Sequence, residues 1–375
     1  MTRFGLVVMG LWFLAFNVYQ EVHWLPMAQM NDFHYFYAAA QIGVSHGWDR
    51  IYDPQLSRVV IAASCPNSPT EPLLYPPLDA WLALPLIAIP CMAAYVVFAV
   101  LGLGLLVGAA LLVGGRDRIE RLCLVLSAVG FLPTYTAFAA GQVSPLVALA
   151  LVVSWRWLRE DRQVAAGLVL TTILLKPQLG LLVPVALLAA GYTRAFRIWT
   201  IATLAILLTF VLALGRGGIE QWITNELVVY WGSTYEQRWS LTHLLGSNPG
   251  LIADLAAVAA MLVIARRSHG HGPEVALATG AATTFLIAYH LTPPDFVVLL
   301  IPVWILAMER SRVGIVAAVL GWLAAWFAVG LAVPVILFEL AVLGLCAAWA
   351  GTSAWIGAQR PEPEESLPSA TPRPI

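Results

Sequence analysis

The chain has 375 residues, 60% of them apolar and only 11% charged, with a mean hydropathy of +0.81. A soluble domain carries roughly a quarter charged residues, so a soluble globular protein is excluded and an all-α polytopic membrane protein is expected. The net charge of −1, with no long basic stretch, gives no basis for nucleic-acid binding.

Met1-Thr2-Arg3 followed by the apolar run Phe4 to Phe16 has the outline of a signal peptide, but no small-x-small cleavage site follows. An uncleaved first helix is expected. The polar insert 21–76 comes next as a large first outer loop, and its run Asn31-Asp32-Phe33-His34-Tyr35-Phe36-Tyr37 places a carboxylate among aromatic rings and an imidazole. Asp32 has two readings. It is either the N-cap of a helix over Phe33 to Ile42 or a catalytic base, with His34 and Tyr35 beside it as substrate-binding groups. Tyr75-Pro76-Pro77 starts the next helix, prolines being suited to a first turn, and turns the Tyr75 ring toward the loop.

Basic clusters at Arg116-Asp117-Arg118 with Arg121, at Arg156, Arg159 and Arg162, at Arg194 and Arg197, at Arg266-Arg267, at Arg310 and Arg312, and at Arg360 belong inside by the positive-inside rule. With Arg3 and the tail, 15 of the 19 arginines are then cytoplasmic, leaving Arg50, Arg58, Arg216 and Arg238 outside. Residues 78–113 are taken as a run of 36 apolar residues forming one long helix, bent or broken at Pro85 and Pro90. The count is twelve spans in one domain over 1–358, with both termini cytoplasmic and a second outer loop over 215–249. Trp222, Tyr230, Trp231, Tyr235 and Trp239 of that loop fit an interfacial aromatic belt. The Pro- and Glu-rich segment 359–375 cannot bury enough surface to fold.

The blocks between basic clusters turn at Gly141-Gln142, Lys176-Pro177-Gln178, His290 to Asp295, and near Gly330. Several half-hairpins are too short to cross a ~30 Å core alone, which is tolerable where they line a water-accessible cavity. Gln142, Lys176, Gln178, His290 and Asp295 all fall on the side of Asp32. Lys176 is the only lysine, set between apolar helices. It is either a functional cation or a stem snorkelling to the interface. His290 and Asp295 each have a local reading as well, as a helix-terminal histidine and as an N-cap. Cys65, Cys91, Cys123 and Cys346 lie far apart, three of them in apolar spans, and read as packing residues without a disulfide framework or a metal motif.

Asp32 to Tyr37, Leu74-Tyr75-Pro76-Pro77 with Ala83-Leu84-Pro85, Gly141-Gln142-Val143-Ser144, Gly167 with Leu175-Lys176-Pro177-Gln178, and Asp295 in Pro293-Pro294-Asp295-Phe296 occur in order over about 30–305. Together they resemble glycosyltransferase family 87, a GT-C membrane group that includes mycobacterial α-1,2-mannosyltransferases. The resemblance implies a GT-C fold, a first-loop acid (here Asp32) as base, and a polyprenyl-phosphate sugar as donor to an envelope glycan or glycolipid acceptor. Such a donor is already activated, so the enzyme must deprotonate a hydroxyl and stabilise a departing phosphate. Asp32 suits the first task, and Lys176 with His290 the second; Tyr75, Gln142, Gln178 and Asp295 would contact substrate. One carboxylate without a covalent intermediate means inversion. No cofactor is implied, and no acidic cluster of the nucleotide-sugar metal type is present. The rivals are a transporter or flippase for a lipid-linked sugar, a different GT-C enzyme, and a non-catalytic envelope-assembly subunit.

Overall fold

The computed structural model describes residues 3–24, 32–71, 73–230, 239–309, 311–328 and 331–350. Asn31, Trp231, Tyr235, Glu236, Arg238, Arg310, the turn at Gly330 and the 359–375 tail lie outside the described residues. Among the described residues the protein is all-helical, without a strand.

The helices are α1 (Arg3–Trp24), α2 (Phe33–His46), α3 (Pro54–Ser64), α4 (Pro77–Ala83), α5 (Cys91–Val113), α6 (Arg118–Val129), α7 (Leu132–Ala140), α8 (Ser144–Arg159) and α9 (Gln163–Val169). They continue as α10 (Leu182–Ala189), α11 (Thr193–Tyr230), α12 (Leu241–Leu245), α13 (Ser247–Arg267), α14 (Glu274–Ile287), α15 (Leu300–Glu309), α16 (Arg312–Trp326) and α17 (Ala332–Trp349). Among the described residues four are long and apolar enough to cross a membrane: Cys91–Val113, Thr193–Glu226, Ser247–Arg267 and Ala332–Trp349. A fifth arises if α6 and α7, bent by 52°, act as one span. This is a membrane protein with fewer full-length helices than the twelve crossings expected, because its remaining apolar helices run only 10–17 residues.

Proline, glycine and polar residues cut them short. The expected long helix over 78–113 stops at Ala83, passes through a 3-10 turn at Leu84–Leu86 containing Pro85, and restarts after Pro90. The stretch is also not wholly apolar, since Asp79 sits in the first turn of α4. Helix α9 tightens into a 3-10 segment, Leu170–Leu175, and ends at Lys176. The ring of Pro177 disfavours the helical region for the residue before it, and Lys176 takes φ −151°, ψ 81°.

Among its described residues the 215–249 region is mostly helical. Helix α11 is interrupted at Gly215 (φ 59°, ψ −174°) and then resumes. Trp222, beyond that break, turns inward: it stacks on Tyr52 at 5.6 Å and donates to the Leu74 carbonyl at 3.3 Å. Trp239 is buried and donates to the Ala328 carbonyl. Each indole N–H finds a backbone acceptor inside the protein, as buried Trp usually does.

Two apolar cores result. The larger joins α1 with α5 to α17; the smaller packs Phe33, Phe36, Ile42, Ile51, Tyr52, Ile61 and Leu73 against the first turns of α5. The first loop is therefore a folded cap with a core of its own. A disulfide between Cys65 and Cys91 fastens the end of α3 to the start of α5, correcting the expectation that all four cysteines are packing residues. Among the described residues Cys123 and Cys346 form no disulfide. Closing a loop of 26 residues stabilises by roughly 3 to 4 kcal/mol. Cys65→Ser is accordingly expected to speed tryptic cleavage at Arg58, an exposed residue of α3, at least tenfold in native membranes; an unchanged rate would show that the packed core alone holds the cap.

Candidate active site

The polar residues gather where the two cores meet. Asp32 occupies the N-cap position of α2, but its side chain makes no capping hydrogen bond. Its backbone N–H donates instead to the Ala140 carbonyl at 2.6 Å, tying the start of α2 to the end of α7. The freed carboxylate points across the junction, where Oδ2 accepts from the Tyr75 hydroxyl at 3.0 Å and from Gln142 Nε2. Gln142 Nε2 also reaches the Tyr75 hydroxyl at 2.7 Å. Asp32 is half-buried, and Oδ1 takes no part in these bonds.

Gln142 is placed by Gly141, whose left-handed φ of 62° closes α7. A Cβ there would come within 2.7 Å of Phe33 Cβ. The amide is oriented by charge at both ends: Nε2 faces the Asp32 carboxylate, and Oε1 accepts from Lys176 Nζ at 3.1 Å. An ammonium can only donate and an ionised carboxylate only accept, so the amide has one satisfactory orientation.

Lys176 is 2% exposed, so it does not snorkel. Its Nζ lies 2.6 Å from Asp295 Oδ1 and 5.5 Å from the centroid of the Tyr75 ring. Asp295, fully buried, also accepts from Ser144 Oγ at 3.2 Å, from the Thr292 N–H at 2.8 Å and from Thr292 Oγ1 at 3.0 Å. It is the third residue of the 3-10 segment Pro293–Leu299 rather than its N-cap, which is Thr292. The product is one continuous array, Asp295–Lys176–Gln142–Asp32 with Tyr75, assembled from five segments separated in sequence.

The other expected residues stand around this array. His34 is buried and donates Nε2–H to the Pro69 carbonyl at 2.9 Å, and Tyr35 donates to Glu71 at 3.0 Å; both brace the cap. Gln178 and His290 are half-buried, and the contacts holding Lys176 come from Gln142, Asp295 and Tyr75 rather than from His290. Ser144 and Thr292 went unread as ligands of Asp295, and Asp79 was missed outright. The signal for Asp79 was an acid inside an apolar helix directly after Tyr75-Pro76-Pro77. Among the described residues no three His, Cys, Asp or Glu side chains stand close enough to share a metal ion.

Burial raises the Asp32 carboxyl above the ordinary aspartate value, against the lowering pull of Lys176 and of the bonds from Tyr75 and Gln142; the nearby Asp295 adds to the rise. A carboxylate of raised basicity with one oxygen held and one uncommitted is equipped to take a proton from a hydroxyl.

The fold and the array together describe an apolar helical membrane protein in which a half-buried acid is wired to a buried ammonium. The model of glycosyltransferase family 87 matches residues 73–293, and the chain belongs to that family; it is a glycosyltransferase. The matched range includes Tyr75, Asp79, Gln142 and Lys176; Asp295 falls just past its C-terminal end, and Asp32 lies well before its start. No curated protein and no solved structure matches the chain.

Gly141→Ala is expected to reduce sugar transfer at least tenfold. The left-handed conformation costs a side-chain-bearing residue about 1–2 kcal/mol, and the added methyl group would push Phe33 or move Gln142 off Asp32. Initial rates with purified protein of unchanged melting temperature test this, and wild-type rates would release Gln142 from its role.

Proposed function

We propose that the protein moves a glycosyl group, with mannose the first hexose to test and arabinose the first pentose, from a polyprenyl-phosphate donor to an envelope glycan or glycolipid. The reaction is set on the extracytoplasmic face of the inner or plasma membrane. The observation that carries this reading is the Asp32 carboxylate, turned from its helix cap and held through Oδ2 alone. Oδ1 takes the acceptor hydroxyl's proton as the acceptor oxygen attacks the anomeric carbon. The bond from that carbon to the phosphate oxygen breaks, its electron pair leaving with the polyprenyl phosphate, and the anomeric configuration inverts. No proton need reach this leaving group, because a phosphate departs as a stable anion.

Lys176 supplies the positive charge opposing the developing anion. Its burial supports the assignment, since a charge withdrawn from water acts at lower effective dielectric. Gln142 holds Asp32 in place, and Tyr75 shares its hydroxyl with the same carboxylate oxygen. His290 and Gln178 are assigned to the donor's phosphate and sugar, and His34 and Tyr35 to the wall of the cap on the substrate side. The 12-span arrangement with both termini cytoplasmic follows from the arginine clusters and requires short helices to cross in end-to-end pairs. The direct experiment offers purified protein polyprenyl-phosphate mannose, glucose, galactose and arabinose with a mixed-glycolipid acceptor. New glycosidic product from one donor is expected. Passage of the donor across proteoliposomes without product would favour a lipid-sugar transporter.

A further inference from the structure

Asp79 is fully buried, and neither carboxyl oxygen has a hydrogen-bond partner. Buried polar groups in folded proteins are nearly always satisfied, so an acid in this state requires an explanation. The nearby buried Asp295, by contrast, is surrounded by Lys176, Ser144 and two donors from Thr292. Asp79 receives none of this. Helix α4, which carries it, packs on α2, the helix that Asp32 opens, and on the 3-10 segment that ends at Lys176. The neighbouring donors are committed elsewhere: the Tyr52 hydroxyl, which feels the Asp79 charge, donates to the Tyr75 carbonyl at 2.7 Å. Lys176 is engaged by Asp295 and Gln142.

We propose that Asp79 binds hydroxyls of the donor's glycosyl ring and so helps determine which sugar is transferred. This rests on the glycosyl transfer proposed above and deepens it. A phosphate suits only the neutral acid, because an ionised carboxylate repels an anion. A sugar fits in either protonation state: a carboxylate accepts from two adjacent hydroxyls, and a neutral acid donates to one and accepts from another. The donor sugar is favoured over the acceptor because α4 also packs on the 3-10 segment that ends at Lys176, the residue assigned to the phosphate, whereas Oδ1 of Asp32 takes the acceptor hydroxyl.

The test compares wild type, Asp79→Asn and Asp79→Ser with polyprenyl-phosphate sugars, their 2-deoxy and 3-deoxy analogues, and unglycosylated polyprenyl phosphate as inhibitor. Asp79→Asn is expected to raise the donor KM at least tenfold, with kcat within about threefold, and to leave inhibition by the unglycosylated lipid unchanged. One deoxy analogue is expected to lose much less in the variant than in wild type, since the hydroxyl it lacks has already lost its partner. Equal weakening of inhibitor and donor, or deoxy penalties that simply add to the mutation's, would overturn the proposal. Failure of both variants to fold would show a structural acid and overturn it as well. A wild-type protein that transfers from none of the donors overturns the function proposed above together with this one, whereas an active wild type with indifferent Asp79 variants sinks this one alone.

Discussion

Asp32→Asn is expected to lower kcat for sugar transfer about a thousandfold, within the range attributed to a positioned general base, while the protein still inserts and melts as wild type does. The amide oxygen can occupy the place of Oδ2 and keep the bonds from Tyr75 and Gln142. The amide nitrogen then replaces Oδ1, and it cannot accept a proton. Removing a charge that burial penalises should not harm the fold. The pH profile gives an independent check. Asp32 is active when ionised, and its pKa lies above the ordinary 3.8, so kcat/KM must fall with acidification at a higher pH than a free aspartate would dictate. The residual rate of the Asn variant should lack that limb. Wild-type turnover by a folded Asp32→Asn protein would remove the base assignment and leave Asp32 as a bridge between α2 and α7.

Much of the site's layout was legible because the chain marks its turns chemically. Gly141-Gln142, Lys176-Pro177-Gln178 and Thr292 to Asp295 interrupt apolar runs with residues that helices in lipid avoid, and all three breaks lie on the array. The direction of a side chain at such a break was not legible. A local capping bond and a long-range bond to Tyr75 or Gln142 are both open to Asp32, and tertiary packing decides between them. Asp79 escaped notice because one acid barely moves the mean hydropathy of a long apolar stretch. The link from Cys65 to Cys91 is set by the cap's folding back onto α5, which spacing does not encode. The span count suffered from a related limit: hydropathy finds apolar runs, whereas the breaks around Pro85 and Pro90 and the bend between α6 and α7 decide how many single helices are long enough to cross.

The second large effect concerns the cation. Lys176→Met is expected to destabilise the protein by about 3–5 kcal/mol, because truncating one partner of a buried ion pair strands the other charge. Asp295 would keep Ser144 and Thr292 but lose the ammonium at 2.6 Å. Adding Asp295→Asn removes the stranded charge, so the double variant should recover most of the lost stability, read as the melting temperature in detergent. Activity separates the roles of the lysine. If Lys176 serves only to neutralise Asp295, the double variant should also regain transfer, and that result would overturn its assignment to the leaving phosphate. If its charge acts on the phosphate and its N–H orients Gln142 toward Asp32, the double variant should remain at least a hundredfold impaired. Its inhibition by unglycosylated polyprenyl phosphate should also weaken, because the anionic product then meets a site without its cation.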